Sequence, residues 1–136
     1  MDASSKLSPE HWRKFFIIAV ATLGAGTRRQ STSSSWCGWT TFTLLREGVH
    51  YLEGGLPPTE EILELGLEDG GLWGQPFRFD DLAHVVLPRT YFWERHDGGQ
   101  YENGFKSQDL DALSKELRSE SIPHRLSDMV LEIKLY

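Results

Sequence analysis

Thiols are almost absent from this sequence: Cys37 is the single cysteine among 136 residues. One thiol excludes an internal disulfide and a multi-thiolate metal site, and it fits a reducing, cytoplasmic compartment. Histidines occur at positions 11, 50, 84, 96 and 124, with no pair at metal-ligand spacing. No metal and no cofactor are therefore expected. Long apolar runs are missing too. The longest, Phe15-Phe16-Ile17-Ile18-Ala19-Val20-Ala21, falls well short of the ~20 residues that a bilayer crossing needs. Basic residues are outnumbered, 14 Lys+Arg against 20 Asp+Glu for a net charge of -6, which argues against a nucleic-acid binder. Phosphate-cradling glycine loops precede a helix, whereas Gly24-Ala25-Gly26 follows one. No internal repeat and no catalytic signature is visible.

The chain does hold enough apolar residues for a core: 39% are hydrophobic and 12% aromatic. Its length suits one domain spanning residues 1–136. Ser8-Pro9-Glu10 reads as a helix start, with serine as N-cap and proline in the first turn. Trp12, Phe15, Phe16, Ala19, Val20 and Leu23 then form one helical stripe, ended by Gly24 and Gly26. Glu10 and His11 speak against reading this segment as a secretory leader.

Residues 24–35 are small or polar and predict a loop. Residues 36–45 predict a strand, with 49–52 pairing back as a hairpin. Pro57-Pro58-Thr59-Glu60-Glu61 opens a short helix carrying Ile62, Leu63 and Leu65, and the glycine-rich stretch 66–76 is irregular. Residues 84–95 are β-rich, with Pro88 marking an edge or bulge. Asp97-Gly98-Gly99 turns the chain into a return strand over 100–105. Ser107 caps a second long helix whose stripe is Leu110, Leu113 and Leu117. Residues 129–136 close as a strand in which Leu131, Ile133 and Leu135 alternate with Glu132, Lys134 and Tyr136, so one face is wet. The expected fold is α+β: a mostly antiparallel sheet with two longer helices, about 9–23 and 108–119, packed on one face.

Trp36-Cys37-Gly38-Trp39 resembles the opening of a thioredoxin-type redox site, but the second cysteine is absent, so two-electron exchange cannot be completed within the chain. Cys37 reads as a small core residue. Asp80 and Asp81 precede His84 at near-helical spacing, yet the strand that follows favours a capping role. Glu94, His96 and Glu102 cluster at the proposed hairpin. A small hydrolase-like enzyme using the Glu94 and Glu102 carboxylates with His96 or His84 is the alternative reading.

Charge distribution is the feature that stands out. Residues 51–81 hold one basic residue, Arg78, against eight acidic ones, whereas residues 1–50 carry 6 basic and 3 acidic side chains and residues 82–136 carry 7 and 9. The whole negative excess thus lies in the middle segment, amid Leu56, Leu67, Leu72, Trp73, Phe77 and Phe79. Apolar anchors within one sign of charge suit a protein interface. The expectation is a non-catalytic interaction protein of inhibitor or immunity type. It would bind a partner protein with a basic surface, such as a toxin or nuclease, through Glu60, Glu61, Glu64, Glu68, Asp69 and Trp73. Neither nucleic acid nor membrane is an expected partner.

Overall fold

Ser8 Oγ accepts the backbone N–H of His11 at 3.2 Å, and helix α1 runs from there over Pro9–Leu23. In this computed structural model, residues 7–29, 32–48, 50–68, 71–74 and 76–136 are described. The remaining elements are β1 (Cys37–Thr41), α2 (Phe42–Glu47), β2 (Leu52–Gly54), β3 (Gly66–Leu67), β4 (Phe77–Arg78), β5 (Leu82–Pro88), β6 (Thr90–Asp97), β7 (Gln100–Ser107), α3 (Leu110–Ser119), β8 (Arg125–Leu126) and β9 (Val130–Lys134). The architecture is α+β. A five-stranded sheet has the order β2-β1-β5-β9-β8, and every neighbouring pair in it is antiparallel.

Register separates the two faces of this sheet. Trp39, Val85 and Ile133 lie side by side on β1, β5 and β9, joined by Leu87 and Leu131. This face is covered by Trp12, Phe15 and Phe16 of α1 and by Leu110, Leu113 and Leu117 of α3, all fully buried. The other face carries Thr40, His84 and Lys134 in one row and Gly38, Val86 and Glu132 in the next.

Four expected elements differ from those observed, the first being the β-rich stretch 84–95, which divides at Arg89 into β5 and β6 in separate sheets. The strand expected over 36–45 ends at Thr41, whose Oγ1 accepts the N–H of Leu44 at 3.0 Å and caps α2. Asp81 Oδ1 accepts the N–H of Thr43 at 3.3 Å, so this carboxylate secures that short helix. The helix expected after Pro57 shrinks to a 3-10 turn, Thr59–Glu61, because Ile62 leaves it to bridge Leu67 across a tight turn. A Cβ on Gly66 would sit 2.1 Å from the Phe77 carbonyl oxygen, so only glycine lets β3 close on β4. Finally, α3 is capped by Asp109, which accepts from Ala112, rather than by Ser107, because β7 extends through Ser107.

The serine-rich loop is tied down where it is described. Buried Ser33 and Ser35 accept the N–H groups of Thr27 and Leu56 at 2.9 and 3.0 Å. β6 and β7 form a separate two-stranded ribbon of eight residue pairs. Its base is pinned by buried Tyr91, whose hydroxyl donates to the Ser33 carbonyl at 2.7 Å. The exposed Phe92–Phe105 pair and Tyr101 lie further out along the ribbon.

Candidate functional site

The acidic turn is built on the bridge between Ile62 and Leu67, closed by the Leu63 N–H donating to the Gly66 carbonyl at 2.8 Å. The bridge buries Ile62, Gly66 and Leu67 and leaves residues 63–65 exposed. Leu63 is 48% exposed and Leu65 is 53% exposed. Glu60, Glu64 and Glu68 are exposed around them. Glu61 is different. Its Oε1 accepts the N–H of Leu72 at 2.6 Å, which fastens the turn to the following loop. A groove lined by Pro9, Glu10, Arg13, Ile62, Leu63, Glu64 and Leu65 runs between the turn and the start of α1. Leu65, like Leu63, therefore lies on the surface. Asp69 lies outside the described residues.

Trp73 is a correction to the expected site. Only 7% of it is exposed, and its ring stacks on Trp39 with centroids 3.6 Å apart and planes 5° from parallel. Its indole N–H donates to the Gly55 carbonyl at 3.1 Å. The ring holds the loop to the sheet; a large apolar ring with a satisfied N–H is more stable inside than as a surface anchor. Leu63 and Leu65 are the apolar groups that the acidic surface presents.

Of the residues of the enzyme alternative, Glu94 and His96 meet at Tyr101, whereas Glu102 and His84 are not brought to them. Glu94 accepts from the Tyr101 hydroxyl at 2.8 Å, Glu102 pairs with Arg95, and His96 rests on the Tyr101 ring. His84 sits on the five-stranded sheet, on β5, away from this ribbon. Cys37 is fully buried, and burial pushes its thiol pKa well up, which disfavours the thiolate there. Among the described residues there is no group of three or more His, Cys, Asp or Glu able to hold a metal.

His84 instead centres a hydrogen-bonded chain on the open sheet face. Its Nε2 lies 2.7 Å from Glu132 Oε1, and its Nδ1 lies 2.6 Å from the Tyr51 hydroxyl, which in turn meets the Tyr136 hydroxyl. A carboxylate only accepts, so Nε2 carries the proton and, in the neutral ring, Nδ1 accepts from Tyr51. Burial lowers the His84 pKa, against the opposing pull of Glu132, with Lys134 lowering it further. Burial and the bond to Tyr136 raise the Tyr51 pKa. Both shifts favour the neutral forms of His84 and Tyr51.

Next to this chain, a cleft of about 750 Å³ is lined by Leu7, His11, residues 123–125 and residues 132–136. Sequence reasoning weighed His84 with Asp80 and Asp81 or with the ribbon. It missed Tyr51, Glu132 and Tyr136 as its partners, which lie 33, 48 and 52 positions away. The one signal available was the alternation of the last strand, which put Glu132, Lys134 and Tyr136 on one face. Compared with family models, curated proteins and solved structures, the chain matches none.

Proposed function

We propose that this protein is a non-catalytic interaction protein of inhibitor or immunity type that docks a basic surface of a partner protein through its acidic turn. The reading is supported chiefly by one observation: Leu63 and Leu65 stand half-exposed between the exposed carboxylates of Glu60, Glu64 and Glu68. Apolar groups of this size at the centre of a charged rim supply residence time, and the surrounding field supplies steering. A toxin or nuclease presenting a cationic active-site surface has the matching chemistry. The buried, reduced Cys37 suits a cytoplasmic location. No helix among the described residues is long and apolar enough to cross a membrane.

The test is site-specific photocrosslinking in the native host from position 65 on the acidic turn, with position 105 on the ribbon as the control. The expected result is one adduct from position 65 with a protein of basic surface, lost when Glu60, Glu64 and Glu68 are replaced by Gln. Adducts from position 105 alone overturn the assignment.

A further inference from the structure

The geometry points to a second docking strip, independent of the acidic turn: the outer edge of β9, where an extended acidic peptide adds as a further strand.

Backbone pairing leaves that edge open. β8 pairs only with Leu131 and Glu132, so residues 133–136 have no strand on that side among the described residues. The Leu135 N–H donates to the Ala83 carbonyl at 2.8 Å, which turns the odd-numbered amides of this segment towards β5. The N–H and C=O of Lys134 therefore face the other way, as alternation in an antiparallel ladder requires. Continuing the register of Arg125 with Glu132 sets Pro123 opposite Lys134. Proline has no N–H to offer the Lys134 carbonyl, and no bond joins the Lys134 N–H to the Pro123 carbonyl among the described residues. The cleft of about 750 Å³ opens at this point.

Side chains around the cleft define what fits. On the helix side the lining is Leu7, Ile133 and Leu135, with His11 of α1 beside them. On the open sheet side stand Lys134 and Arg125, both exposed and neither in an ion pair among the described residues. Glu132, the one carboxylate in the lining, is already held by His84. Successive side chains of an added strand point to opposite faces. A strand that alternates apolar and acidic residues would place the former on Leu7 and Leu135 and the latter beside Lys134 and Arg125. Main-chain bonds to Lys134 would supply affinity, and the alternation would supply selectivity.

The experiment is NMR titration of the isotope-labelled full chain with a short blocked peptide alternating leucine and glutamate. Expected are saturable shifts at the Lys134 and Tyr136 amides, with slowed exchange of the Lys134 amide. Arg125→Glu with Lys134→Glu should weaken binding by about tenfold or more, while the tryptophan melting curve stays that of the parent. Equal binding of a leucine–lysine peptide contradicts the charge assignment. Equal binding of a backbone N-methylated peptide, or of hexanoate, shows a pocket for small acids rather than strand addition. Shifts at the same amides on raising protein concentration alone would assign the edge to a second copy. No shift at the highest soluble peptide concentration would also overturn the inference.

Discussion

Two grooves flank the first turn of α1, and they differ in how they are made. On one side, Pro9, Glu10 and Arg13 face the acidic turn, a surface assembled from residues close together in the chain. On the other, Leu7 and His11 face β9, where residues from distant parts of the chain meet. The acidic turn is held by its backbone bridge and by Glu61, and Glu60, Glu64 and Glu68 carry no ion pair among the described residues. The β9 side is held by its own polar side chains, because His84, Glu132 and Tyr51 satisfy one another. Charge that stabilises nothing locally is available for recognition, as at Glu60, Glu64 and Glu68 or at Lys134 and Arg125; charge already engaged within the fold, as at Glu132, is not.

The largest effect should come from neither groove but from the core they share. Phe16 is fully buried and lies against Trp12, Phe15, Trp73 and Phe79. Phe16→Ala should cost about 3–5 kcal/mol in denaturant unfolding. It should loosen the acidic turn as well, since Trp73 links the two. A loss below about 1 kcal/mol would mean that the helix is not part of the cooperative unit.

Next is the polar chain. His84→Ala should cost about 1–3 kcal/mol, because it strands the Glu132 carboxylate and the Tyr51 hydroxyl. Its pH dependence has a definite sign. The folded-state pKa of His84 lies below its ordinary value of 6.5, so the unfolded chain binds the extra proton first. The His84 contribution is therefore fully present above pH 6.5 and is lost as the pH falls below it. Unfolding followed from pH 8 to pH 5 should show an acid loss of stability that is reduced in His84→Gln. An identical pH profile would remove His84 as its source.

The acidic segment should divide within itself. Glu61→Ala should cost about 1 kcal/mol, because it removes the acceptor for the Leu72 N–H. Glu60→Ala should cost about 0–0.5 kcal/mol, as exposed carboxylates usually do. Equal losses at the two positions would erase the distinction between fastening and presenting residues. The smallest effect of all is expected for Glu60, Glu64 and Glu68 changed together to Gln, with stability held within about 0.5 kcal/mol of the parent.

Much of this fold was legible in sequence where the pattern is local. The Ser8-Pro9 start, the stripe from Trp12 to Leu23 and the alternation of the last strand each depend on neighbours a few positions apart. The strand over 36–45 was misread because Thr41 and Asp81, 40 positions apart, supply the caps that turn Phe42 and Leu45 into helix. Trp73 was misplaced for a similar reason. Its partners Trp39 and Gly55 come from other strands and loops, and no spacing in the sequence announces them. The acidic turn was visible as a charge run, but which of its side chains face outward depended on the bridge between Ile62 and Leu67. The Tyr51–His84–Glu132 chain was invisible, since each member comes from a different segment.

The account's central claim is that the acidic turn steers and holds a basic partner. Its most direct test is the association rate of the partner trapped from position 65, measured for the parent and for the variant with Gln at 60, 64 and 68 across a salt series. The parent rate should fall steeply as the Debye length shrinks from about 30 Å at 0.01 M towards about 8 Å at 0.15 M ionic strength, and the variant should associate slowly with a nearly flat salt dependence. Equal rates and equal salt slopes for the two proteins would contradict it.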